Sequence, residues 1–61
     1  MPDYRVDIFH GRVISATFHL SYETDQDALT HAAEMVSAEH GVEVWCDERL
    51  VGSFAPRKRR N

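Results

Sequence analysis

Val42-Glu43-Val44-Trp45-Cys46-Asp47-Glu48-Arg49-Leu50-Val51-Gly52-Ser53-Phe54 is the stretch that decides the fold. Two runs rich in β-branched and aromatic residues flank a charged centre, which is the pattern of a hairpin. A three-residue turn, Asp47 to Arg49, would pair Cys46 with Leu50, Val44 with Gly52 and Val42 with Phe54. Their side chains then share one face. Pro56 has no N–H to give to a ladder, so it ends the second strand.

Upstream, Thr24-Asp25-Gln26-Asp27 opens a helix. Thr24 caps an early backbone N–H, and Asp25 and Asp27 suit the positive end of the helix dipole. Leu29, Ala32, Ala33 and Val36 recur at helical spacing and form one apolar stripe, with His31, Glu34 and Ala38 facing away. Gly41 is the expected left-handed cap, and His40 suits the negative helix end. The stripe is rich in alanine, so the helix lies close to a sheet but adds little apolar volume.

Further upstream is a second hairpin. Tyr4-Arg5-Val6-Asp7-Ile8 and Ile14-Ser15-Ala16-Thr17-Phe18-His19-Leu20 both alternate apolar and polar. A three-residue loop, His10 to Arg12, pairs Ile8 with Ile14, Val6 with Ala16 and Tyr4 with Phe18. A two-residue loop would put the two apolar sets on opposite faces. No internal repeat of solenoid period stands out. The fold class is α+β: ββαββ, an antiparallel sheet with one helix on one face. The domain is expected over 1–55, with a basic tail over 56–61.

At 61 residues the chain is short. A domain of this size buries only about 60% of its unfolded surface, so its core is marginal. One helix covers one side of the sheet. The other side would carry Phe9, Val13, Trp45 and Val51, an apolar patch of the kind that marks association. These four are the expected dimer interface. A homodimer completes the fold, with exchange of a hairpin between protomers as one route to it.

Charge is unevenly spread. Arg57, Lys58, Arg59 and Arg60 are four of the seven basic residues; residues 1–56 hold three (Arg5, Arg12, Arg49) against all ten acids, a body of −7 and a tail of +4. Such a body repels phosphate, whereas the tail would attract a polyanion. Cys46 is the single cysteine, which excludes an internal disulfide and a four-thiolate zinc site. A secreted domain this small would usually carry disulfides, so a cytoplasmic setting is expected. No run reaches the roughly 18 apolar residues of a membrane span.

Tyr4-Arg5-Val6, Gly11-Arg12-Val13 and the Val42–Trp45 and Arg49–Gly52 segments resemble those of a group of short single-domain bacterial proteins of uncharacterised function, frequent in alphaproteobacteria. The resemblance runs over residues 4–54. It implies a ββαββ unit in a cytoplasmic bacterial setting and carries over neither an activity nor a catalytic residue.

Three functional readings follow. The first is a homodimeric protein-interaction module with no enzymatic activity and no cofactor. The second is a nucleic-acid-associated protein that uses Arg57 to Arg60. The third rests on Pro2, which removal of Met1 would make amino-terminal. The tautomerase superfamily uses such a proline as general base, with arginines binding a carboxylate, and Arg5, Arg12 or Arg49 would take that role. Those enzymes place a helix after their first strand, where this chain has a second strand. His10, His19, His31 and His40 lack the spacing of metal ligands, so no metal site is expected. Cys46 alternates inward with Val42 and Val44 and reads as a structural thiol.

Overall fold

The structure, a computed structural model, describes residues 2–57. The tail residues 58–61 lie outside them. Four strands and one helix follow in the order β1 (Asp3–His10), β2 (Val13–Ser21), α1 (Asp25–Ala33), β3 (His40–Cys46) and β4 (Arg49–Phe54). The strands form one antiparallel sheet of order β2-β1-β3-β4. The ββαββ, α+β architecture is therefore the one the sequence implies. Because β3 lies on the far side of β1 from β2, the segment containing α1 carries the chain across the sheet.

Both hairpins turn more tightly than their patterns suggest. Gly11 and Arg12 make the first turn, Asp47 and Glu48 the second, and each turn opens on a left-handed residue: Gly11 at φ 66° and Asp47 at φ 56°. In the first hairpin Tyr4 pairs with Leu20, Val6 with Phe18 and Ile8 with Ala16, then Phe9 with Ile14 and His10 with Val13. This corrects the expected register by two residues. A β-bulge at Ser15 is the reason: it adds the one residue that returns Ala16, Phe18 and Leu20 to the face of Val6 and Ile8. Beyond the bulge, Ile14 shares the opposite face with Phe9.

The second hairpin is built alike. Val42 pairs with Phe54 and Val44 with Gly52 as expected, but Cys46 pairs with Arg49 rather than Leu50, and Trp45 with Leu50. The extra residue is Val51, which packs against the core. A shift of 36 positions, from Asp7 to Glu43, carries every pairing of the first hairpin from Val6–Phe18 to His10–Val13 onto one of the second. Asp7 and Glu43 also face each other across β1 and β3. The two hairpins are thus related by a pseudo-two-fold rotation through the Asp7–Glu43 pair. Val6 and Val42, and Phe18 and Phe54, are identical across it; Ile14 and Leu50, Phe9 and Trp45, Thr17 and Ser53 are similar.

The helix breaks this symmetry. It packs mainly against β3 and β4. Its cap forms as expected: Thr24 has extended dihedrals and its hydroxyl accepts from Asp27 N at 3.0 Å. Its end does not, since α1 stops at Ala33 and Gly41 is a residue of β3 rather than a helix cap. After tight turns from Glu34 N to His31 O and Met35 N to Ala32 O, Ser37 reverses the chain, its hydroxyl accepting from His40 N at 3.1 Å. The buried side of α1 is Ala28 and Ala32, with Leu29 half-buried beside them.

The core is Tyr4, Val6, Ala28, Ala32, Val36, Val42 and Val44. The largest fully buried side chains are the valines Val6, Val42 and Val44, clustered about the pseudo-axis. Each valine contributes about 1.5–3 kcal/mol relative to exposure. Such a core is small for a sheet of four strands.

Candidate interaction surface

The helix is tied down at its N-terminal end. Tyr4 Oη donates to Asp25 Oδ1 at 2.6 Å, and Arg49 Nη1 donates to Asp25 Oδ2 at 3.2 Å. Asp25 therefore joins β1, α1 and β4. The hydrogen bonds from Tyr4 and Arg49 hold its carboxyl below the usual carboxylate value. The same bond, then burial and the nearby charge, push the Tyr4 phenol up to about 12. Tyr22 packs edge-on against both Tyr4 and His31, with ring centroids 5.6 Å apart in each case, and its hydroxyl hydrogen-bonds His31 Nδ1. Burial raises the Tyr22 phenol as well.

With α1 over β3 and β4, the front of β2 has little cover. Phe18 remains 47% exposed on the helix side of the sheet, and Val13 68% exposed at the hairpin end. Ile14, on the other side of β2, is 51% exposed. The outer strand β2 thus carries large apolar side chains on both faces. Ile14 and Phe18 are the residues that the hairpin patterns assign to the core, and the bulge together with the position of α1 brings them out.

The four expected interface residues are separated. Phe9 and Trp45 lie half-buried on the back of the sheet, with the Asp7–Glu43 pair between them along the strands. Val13 pairs with His10 at the hairpin end, and Val51 turns in to the core. Leu50, not Val51, is the neighbour of Trp45 on the back, and it is 47% exposed.

The back face is also more polar than an apolar patch. The Arg5 guanidinium lies over the Trp45 ring, 5.4 Å from its centroid, and Trp45 Nε1 donates to Glu43 Oε1 at 3.1 Å. Asp7, only 3% exposed, accepts from Thr17 Oγ1 at 2.9 Å and from Arg5 Nε at 3.2 Å. A buried carboxylate needs such donors to offset the loss of water. At one end of this face is an open groove of about 590 Å³, lined by Phe9, Arg12, Gly41, Glu43, Ser53 and Pro56 among others.

The residues of the other readings are dispersed. Arg5 is on Trp45, Arg49 on Asp25, and Arg12 is in the first turn, while the Pro2 carbonyl accepts from Tyr22 N at 3.3 Å. The His10 and His40 rings meet at 5.0 Å, a juxtaposition that only the β1–β3 register makes visible. Among the described residues no three His, Cys, Asp or Glu side chains gather as a metal site. Of the basic tail, Arg57 is described: its N–H donates to Ser37 O and its guanidinium to Ala33 O. Lys58, Arg59 and Arg60 lie outside the described residues. No helix among the described residues is long and apolar enough to cross a membrane. No protein-family model, curated protein or solved structure matches this chain.

Proposed function

We propose that this chain is a homodimeric protein-interaction module whose second copy covers the surface that α1 leaves open. The observation that carries this reading is the exposure of Phe18, Val13 and Ile14 along one outer strand. With seven apolar residues buried among the described residues, the domain gains by covering these three exposed ones. Single residues of this kind are ordinary on a surface, but three on one outer strand, beside a half-roofed sheet, give that edge exposed apolar side chains on both faces. A cytoplasmic bacterial setting belongs to the same reading, and the free, half-buried thiol of Cys46 suits a reducing compartment.

Light scattering coupled to size exclusion tests it. The wild-type chain should elute at twice its 7.0 kDa mass at micromolar concentration. Phe18→Lys should shift it to the monomer while its far-ultraviolet circular dichroism keeps the native form. A wild-type monomer at hundreds of micromolar would rule the module out.

A further inference from the structure

The two outer strands differ in how they are protected. β4 begins with Arg49, is bulged in its middle at Val51 and is followed by Pro56, all features that blunt a sheet edge. The outer strand β2 has its bulge at Ser15, near the turn, which leaves Ala16–Ser21 as a regular run. From Val13 to Tyr22 there is no Asp, Glu, Lys or Arg, in a chain that is 28% charged. Edge strands are commonly guarded by charge, and this one is not.

The charges that bound this run have opposite sign. Arg12 precedes it and Glu23 follows it. Both are exposed, and among the described residues neither forms an ion pair. A parallel pairing of two such edges would set Arg12 beside Arg12 and Glu23 beside Glu23. An antiparallel pairing brings the Arg12 end of one copy to the Glu23 end of the other, twice, with a run free of Asp, Glu, Lys and Arg between.

We propose that two copies of the chain join by antiparallel pairing of β2 with β2, forming one continuous eight-stranded sheet closed at each end of the contact by an Arg12–Glu23 ion pair. The proposal rests on the dimeric reading above and specifies its geometry. A two-fold axis near Phe18 sets the two Phe18 rings beside each other on the helix side of the sheet and opposes Ala16 to Leu20. The strand contributes its unpaired backbone groups, the apolar side chains contribute area, and the terminal charges select the direction. A two-fold contact of this kind is closed, so it stops at the dimer.

Sedimentation equilibrium on four proteins tests it: wild type, Arg12→Glu, Glu23→Arg and the double reversal. Both positions are exposed, and an unchanged far-ultraviolet circular dichroism spectrum would show that the fold is kept. Each single reversal turns two attractive pairs into two repulsive ones and should weaken dimerisation about tenfold at low salt. The double reversal should restore the wild-type constant to within about threefold, and high salt should shrink all the differences. A wild-type dimer that the single reversals leave unchanged, or that the double reversal fails to restore, would overturn edge pairing and leave the dimeric module standing. A wild-type monomer would overturn both.

Discussion

Asp7 and Glu43 face each other across the two central strands, and the two hairpins are related by rotation about that pair. The positions are equivalent, but their surroundings are not. Asp7 is buried and bonded to Thr17 and Arg5, whereas Glu43 is half-buried and holds the Trp45 indole N–H.

The two acids should therefore respond in opposite directions. Two like charges directly opposed destabilise a sheet. Glu43→Gln relieves that repulsion and keeps an oxygen for Trp45, so stability should rise by about 0.5 kcal/mol. Asp7→Asn weakens two hydrogen bonds at a buried site and should cost about 1–2 kcal/mol. Urea titrations followed by Trp45 fluorescence check both values.

The two later glycines test the packing of the second hairpin. A Cβ at Gly52 would stand 2.5 Å from Leu29 Cδ2, the end of a flexible side chain. A Cβ at Gly41 would stand 2.8 Å from the Phe54 carbonyl oxygen and 3.3 Å from Pro56 Cδ, where backbone must move. Both alanine variants should lose stability, by about 1–3 kcal/mol. Only Gly52→Ala should be largely relieved by adding Leu29→Ala, and a double-mutant cycle measures the relief. Ala16, the counterpart of Gly52, carries its methyl group where α1 is not packed.

The turn residues separate backbone strain from contact. Gly11 has φ 66° and open space around its Cα, so Gly11→Ala should cost about 1 kcal/mol through the backbone alone. Asp47 adopts φ 56° with a side chain, so Asp47→Gly should change stability little or raise it by about 0.5 kcal/mol. Thermal midpoints of the two variants give the comparison.

Stability should also depend on pH through Tyr4 and Asp25. The Tyr4 phenol is at about 12 in the folded chain against 10.0 otherwise. Above pH 10 the unfolded chain binds fewer protons than the folded one, so stability falls between pH 10 and about 12. Tyr4→Phe should flatten this slope without abolishing it, because Tyr22 is raised too. Asp25 acts at the other end of the scale. Its lowered value stabilises the fold above the ordinary carboxylate range, and the contribution is lost as pH drops through the folded value. Urea midpoints across both ranges measure the slopes.

The strand, helix and strand pattern was legible because alternation and helical spacing are local. The registers were harder to read, because one bulged residue inverts every inference about faces beyond it. Ser15 and Val51 look like ordinary strand residues, and a β-bulge leaves little local mark in a single sequence. Ile14 and Val51 therefore exchanged sides of the sheet relative to expectation. The repeat was hidden for a related reason: Asp7/Glu43, Ile8/Val44 and Phe9/Trp45 keep character rather than identity. The exposed Phe18 depended on where α1 lies, a tertiary fact that no pattern within β2 contains.

Hydrogen exchange, read residue by residue at low and high protein concentration, tests the pairing of β2 most directly. Edge pairing requires that outward-facing amides within Ala16–Ser21 gain protection as concentration rises, while those of β4 stay unchanged. Amides of β2 that exchange at one rate across the whole concentration range would contradict it.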